Sequence, residues 1–180
     1  MKKYLIFLFT SVFVTFNAQT KSVYDTNNNK DYESALRLFV DRNYDEALAM
    51  VSIGFEKAQK LQDKNQIAYG YFYQARYYEI LGPYEESVRL YNKALTIFKA
   101  LDDKAQVSRC YRKLGLNHFT LSDYDIGLDY YFKSLKLDEE RNYKPGIALT
   151  LERIGKLYVC SQINLNFFTQ NLREVSANLV

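Results

Sequence analysis

The sequence contains no tryptophan, two prolines, seven glycines, two cysteines and one histidine in 180 residues. So few prolines and glycines argue against an all-β chain, which needs them at its many reversals. His118 stands without an Asp/His/Cys cluster at metal-ligand spacing, so no metal centre is expected. Glycine-rich phosphate loops and a nucleophile elbow are also missing. Cys110 lies eight residues before His118 on one helical run. That spacing is an axial rise of ~12 Å, too far for a Cys–His nucleophile pair, which needs ~3 Å. The acid pairs Glu85-Glu86 and Glu139-Glu140 fall at helix starts or ends and read as solvated surface. No catalytic residue and no cofactor is expected, and the chain reads as a non-catalytic protein.

Long apolar runs are scarce too. The one candidate, Tyr4 to Phe16, covers 13 residues behind Lys2 and Lys3. It is short for a bilayer span and suits the core of a signal peptide, with cleavage near Ala18 or Gln19. No cysteine follows it, so lipid attachment there is not expected. The mature chain is expected to be exported, periplasmic or secreted, without stable membrane insertion. The formal charge of +3 falls by two once Lys2 and Lys3 are removed, leaving +1 and no global basicity for nucleic acid or acidic lipid.

Aromatics, by contrast, are plentiful: 17 tyrosines and 12 phenylalanines make up 16% of the chain. They recur with a period of 40 residues, and so do small residues. Ala35, Ala75, Gly115 and Gly155 form one column; Tyr44, Tyr84 and Tyr124 a second; Ala47, Ser87 and Gly127 a third; Gly54, Ala94 and Ser134 a fourth. Within each run the spacing is helical, as in Tyr71, Ala75 and Tyr78 at i, i+4 and i+7. A small residue between two large ones lets a second helix approach closely. Breaks at Gly82-Pro83 and before Pro145, together with Asn43, Asp102-Asp103 and Ser122-Asp123, predict helices near 31–41, 44–62, 66–81, 83–101, 104–121, 124–140 and 146–161. Asn43 and Glu46 resemble a capping box. The expected architecture is all-α, a solenoid of antiparallel helical hairpins.

The segments Tyr71 to Gly82, Tyr84 to Ser87 and Leu90 to Leu95 resemble the tetratricopeptide repeat family. A second copy runs from Leu114-Gly115 through Tyr124, Gly127 and Tyr131 to Ser134-Leu135; weaker ones hold Ala35, Tyr44, Ala47 and Gly54, and Leu151, Gly155 and Tyr158. The resemblance implies a right-handed superhelix. Its period exceeds the usual ~34 residues and looks like that of lengthened repeats in bacterial signalling proteins. The expected organisation is a signal peptide over 1–19, a linker over 20–30 and a repeat domain over 31–161. The repeats fall at about 31–65, 66–103, 104–143 and, in part, 144–161. In residues 162–180 the pattern fails, because Asn164, Asn171 and Glu174 replace expected aromatic and small residues. That segment reads as a divergent C-terminal or capping helix, or as the mark of a truncation.

In this family the first helix of each hairpin lines the concave face. The resemblance therefore implies a peptide groove over Tyr69, Phe72, Tyr73, Arg76 and Glu79, then Arg109, Arg112 and Lys113, then Glu152, Arg153 and Lys156. The implied partner is a protein or peptide of extended or acidic character. Three roles follow: an exported scaffold, the sensory input module (or a truncated remnant) of a histidine kinase or related regulator, and a homodimer formed through the C-terminal segment. His118 shares a column with Tyr78 and Tyr158 and is expected to pack. Cys110 and Cys160 stand ten residues apart in repeat register, ~15 Å along the axis. That is beyond the ~7 Å limit for a bridge, so two free thiols are expected.

Overall fold

The computed structural model describes residues 29–161, and these fold into helices joined by short turns. They are α1 (Lys30–Val40), α2 (Tyr44–Lys60), α3 (Lys64–Leu81), α4 (Tyr84–Ala100), α5 (Lys104–Thr120), α6 (Tyr124–Glu140) and α7 (Lys144–Ser161). The expected leader, most of the linker, the C-terminal segment and the side chain of Cys160 lie outside the described residues. Each helix packs on its neighbours in sequence, with the densest packing inside the α3–α4 and α5–α6 hairpins, and α5 also reaches α7. Helix starts at 64, 104 and 144, and at 44, 84 and 124, reproduce the 40-residue column spacing.

The turns repeat at half that period. Positive φ occurs at Arg42, Gln62, Gly82, Asp102, Ser122 and Asn142, twenty residues apart each time. At 62, 102, 122 and 142 the chain closes in the same way. Asp63 N–H bonds the carbonyl of Ala58 at 3.0 Å while Gln62 N–H bonds Gln59, and the three later turns match. These four are Schellman closures without glycine, and of the six left-handed positions only Gly82 is glycine. Glutamine, aspartate, serine and asparagine hold a conformation that costs an L-residue about 1–2 kcal/mol, because two backbone bonds fix each turn.

The starts are less uniform. Asp63 and Asp103 cap α3 and α5 by accepting from Gln66 N–H and Gln106 N–H, each at 3.1 Å. The expected capping box at Asn43 does not form: Asn43 makes no side-chain cap bond, and its own N–H closes the preceding turn on Leu38. Asp123 also leaves its helix uncapped, because its carboxylate turns to His118. Pro83 caps α4 from outside instead of opening it.

Packing follows the small-residue columns. A Cβ on Gly115 would meet the Tyr131 ring at 2.8 Å and the Gly127 carbonyl at 3.0 Å, so α5 and α6 touch backbone to ring at this point. One hairpin earlier, Ser87 donates to the Ala75 carbonyl at 2.9 Å across the same approach. Tyr32, Tyr69, Tyr73, Tyr91 and Phe98 are fully buried, each contributing ~1.5–3 kcal/mol. Tyr32 also donates to the Gln66 carbonyl at 2.9 Å, tying α1 to α3.

The core is not continuous. One apolar cluster runs from α1 into α5 and contains Ala68, Phe72, Ala94 and Phe98. A second lies between α6 and α7 around Leu128, Tyr131, Leu135, Ile154 and Leu157. Forty residues after the first set, the same columns hold Ser108, Arg112, Ser134 and Asp138. Asp138 is fully buried and accepts from Arg112 at 2.5 Å and from Arg141 at 3.0 Å. Arg112 also donates to Ser108 Oγ at 2.9 Å and Ser134 Oγ at 3.2 Å. A polar layer thus stands where the preceding hairpin has two alanines and two phenylalanines. The Asp138 carboxylate occupies the space a Cβ would take on Gly146, so a side chain in this first turn of α7 would push against the buried pair.

Candidate functional site

Three of the expected groove residues belong to the interior. Tyr69 is 1%, Phe72 2% and Tyr73 1% exposed. Tyr69 meets Phe98 edge-on at 5.2 Å, and Phe72 meets Tyr91 at 5.1 Å. The sequence placed them outward because aromatic residues on a first helix suit either face. The structure turns Tyr69 and Phe72 inward against rings of α4, and Tyr73 inward against Tyr32 of α1 at 5.4 Å.

Arg112 is a second correction. It belongs to the polar layer described above, and burial lowers its pKa from the ordinary arginine value against the opposing pull of Asp138. Lys113 is half-committed. Its ammonium donates to Glu79 Oε1 at 2.6 Å, while Glu79 Oε2 accepts from the buried Tyr91 hydroxyl at 2.9 Å and from Asn117 Nδ2 at 3.3 Å. Glu79 therefore joins α3, α4 and α5 through three donors. Burial pushes the Lys113 ammonium down, Glu79 opposes that, and neighbouring Arg76 and Arg109 add to the lowering. Burial, and after it the same carboxylate, raises the Tyr91 phenol well above its usual value.

What remains for a ligand is an arginine set. Arg76 lies over the Phe39 ring at 5.0 Å, and Arg109 lies over the Phe72 ring at 4.7 Å while donating to Gln106 Oε1 at 2.8 Å. Arg153 makes no ion pair among the described residues, yet it is near enough to Tyr131 to oppose the burial that pushes that phenol up to about 12. Arg76, Arg109 and Arg153 come from α3, α5 and α7, and none has a carboxylate partner among the described residues. Stacking on rings holds the first two guanidiniums in place without neutralising them. Lys156 stands apart, exposed and paired with Glu152 one turn away at 2.5 Å.

His118 packs, as its column suggests, with its ring stacked on Tyr130 at 5.5 Å. Its Nδ1 also lies 3.1 Å from Asp123 Oδ2, a contact the column did not show. Cys110 is a free, fully buried thiol, and burial pushes it up to about 12. Sequence reading missed Asp138 and the central role of Glu79. A signal for the first was present: columns filled by Phe72 and Phe98 change together to Arg112 and Asp138, opposite charges in paired positions.

Stacked two-helix units with a cationic first-helix face define a helical-repeat scaffold. Residues 66–140 match the family model of the tetratricopeptide repeat, and this segment belongs to that family. Such repeats serve as protein-interaction scaffolds. The chain is also 32% identical over 88 residues to an uncharacterised protein, ycf37, of Guillardia theta, an alignment that covers 46% of this chain and 46% of that relative. The chain thus spans under half the length of the relative it matches. Among the described residues, no helix is long and apolar enough to cross a membrane.

Proposed function

We propose that the protein is an exported, non-catalytic scaffold that holds an extended acidic segment of a protein partner on the face of α3, α5 and α7. One observation carries this reading: successive first helices present Arg76, Arg109 and Arg153, ring-supported or free, with no carboxylate partner among the described residues. Guanidiniums fixed on rings lose little freedom when they bind carboxylates, so charge-assisted bonds form at low entropic cost. Export rests on the Lys2-Lys3 and Tyr4–Phe16 pattern. The test is capture from the native cell envelope with wild type beside an Arg76→Glu/Arg109→Glu/Arg153→Glu chain of equal helicity. Proteins retained by wild type and lost from the variant support the reading; an unchanged set sinks it. N-terminal sequencing of the mature chain tests export, which requires a start near residues 19–20.

The 40-residue spacing of helix starts supports a second reading, a sensory input module of a signalling protein. Membrane and kinase segments encoded after these repeats would favour that role over a free scaffold.

A further inference from the structure

The end of α4, the start of α5 and the outer side of α6 enclose an open cleft of about 380 Å3. None of the arginines of the first-helix face lines it. Four ammonium groups stand around it, those of Lys99, Lys104, Lys133 and Lys136. Lys99 lies over the Tyr111 ring at 5.3 Å, a contact that orients the charge without cancelling it. Lys136 is exposed and has no acidic partner among the described residues. Lys104 meets Glu140 at 3.1 Å and Lys133 meets Asp129. Both are exposed pairs of the kind a competing carboxylate displaces at little cost. Against these four cations the lining offers two acids, Asp102 and Glu140, and a floor of Tyr111, Val107 and Leu137.

The charge is only partly a property of the repeat: the columns of Lys104 and Lys133 hold Lys64 and Lys93 one hairpin earlier, and the added cations are Lys99 and Lys136. One hairpin earlier, the column of Lys136 holds Thr96, and the column of Lys99 holds Gln59. A helix N-terminus opens beside the cleft, but Asp103 already occupies it by accepting from Gln106 N–H. With Asp102 next to it, that end of α5 does not attract phosphate as a free N-terminus would. The cleft is also larger than one small anion, whose charge would leave the apolar floor bare. Carboxylates on either side of an aliphatic or aromatic side chain would satisfy both the ammonium rim and the floor.

We propose that this cleft is a second docking surface, for an acidic linear segment of another polypeptide with an apolar side chain between its carboxylates. Lysine suits the task, because compact point charges on flexible stems accept carboxylates without demanding one geometry. The surface acts independently of the arginine face, so one partner can bridge both or two partners can bind at once.

Fluorescence anisotropy of a labelled peptide, Glu-Asp-Phe-Asp-Glu, tests this against the full chain, with Gln-Asn-Phe-Asn-Gln as the neutral comparison. The acidic peptide binds and the neutral one does not. Affinity falls as salt rises from about 50 to about 300 mM. Lys99→Glu/Lys136→Glu, two exposed sites that leave helicity unchanged, weakens it by about tenfold or more. The same loss is expected when Lys99→Glu/Lys136→Glu is made on an Arg76→Glu/Arg153→Glu background, where binding of the acidic peptide by the arginine face is already weakened, which separates this surface from that face. The proposal is overturned if Lys99→Glu/Lys136→Glu binds as wild type does, or if the neutral peptide binds equally. Full competition by inorganic phosphate at matched concentration also overturns it, marking a phosphate site instead.

Discussion

Removing the Asp138 carboxylate puts the polar layer to its most direct test. The side chain is fully buried and receives Arg112, which is itself only 14% exposed, and Arg141, which is 28% exposed. In Asp138→Ala the Arg141 head can return to water, but Arg112 is left as a desolvated cation. Breaking a buried pair from one side costs ~3–5 kcal/mol. The bonds from Arg112 to Ser108 and Ser134 survive, so the lower end, about 3 kcal/mol, is expected. For a chain of this length that corresponds to a fall in Tm of about 6–12 °C. A second chain copies the apolar columns of the preceding hairpin: Ser108→Ala, Arg112→Phe, Ser134→Ala and Asp138→Phe, after Ala68, Phe72, Ala94 and Phe98. Replacing a whole buried ionic group by packed apolar residues is neutral or stabilising by ~1–4 kcal/mol, so this chain should match or exceed wild type. Urea unfolding followed by far-UV circular dichroism, with the slope checked for constancy, measures both. A loss under about 1 kcal/mol in Asp138→Ala would refute the claim that this pair is desolvated. A quadruple variant as unstable as the single one would refute the equivalence of the columns.

Two glycines in one column predict opposite outcomes. Gly115→Ala should cost about 1–2 kcal/mol, because the Tyr131 ring and Gly127 carbonyl must yield. Gly155→Ala meets nothing within 4 Å among the described residues and should stabilise by about 0.5–1 kcal/mol; calorimetry on each decides. In a Cys160→Ser chain, native Cys110 should resist a thiol-specific disulfide reagent at neutral pH, and rapid labelling would contradict its burial. Its thiol holds its proton to about 12 when folded, against an unperturbed 9.0. The folded state therefore binds the proton more tightly, and the stability from this group is complete below pH 9.0 and lost as pH rises toward 12. Tyr91 and Tyr131 are raised as well and steepen the same alkaline loss, so Cys110→Ala should flatten the stability-versus-pH curve without abolishing its fall. Gln62→Gly, at a φ of 54°, should gain about 0.5–1 kcal/mol by relieving left-handed strain, read as a rise in the urea midpoint.

The helices were legible because each has its own local signal. Small residues at i, i+4 spacing and breaks at Gly82-Pro83 and before Pro145 placed them within two or three residues. Turn chemistry was legible only at Gly82. Asp102 and Asn142 belong to types that tolerate the left-handed region, but Arg42, Gln62 and Ser122 carry no such preference and are held by backbone bonds back to the end of the preceding helix. Charge guided the reading of the first-helix face better than aromaticity, though it misplaced Arg112, which is held on the buried Asp138. Arg76, Arg109 and Arg153 could be marked as face residues because a cation without a partner stays near water. Tyr69, Phe72 and Tyr73 could not, since a ring on a first helix can cover a neighbour or meet solvent. Their burial was settled by Phe98 and Tyr91 on α4 and by Tyr32 on α1.

The sequence by itself determined the period, the helical class, the hairpin order and the segment that matches the repeat family. All of these rest on near-neighbour spacing, which the chain carries wherever it folds. Only the tertiary structure decided that Arg112 is an interior cation, that Glu79 joins three helices and that Gly146 makes way for Asp138. The hydrogen bonds behind the first two join groups 12 to 38 residues apart in sequence, and all three facts join different helices. The favourable state of a charge is set by what desolvates it and what pairs with it, and both arrive from other helices.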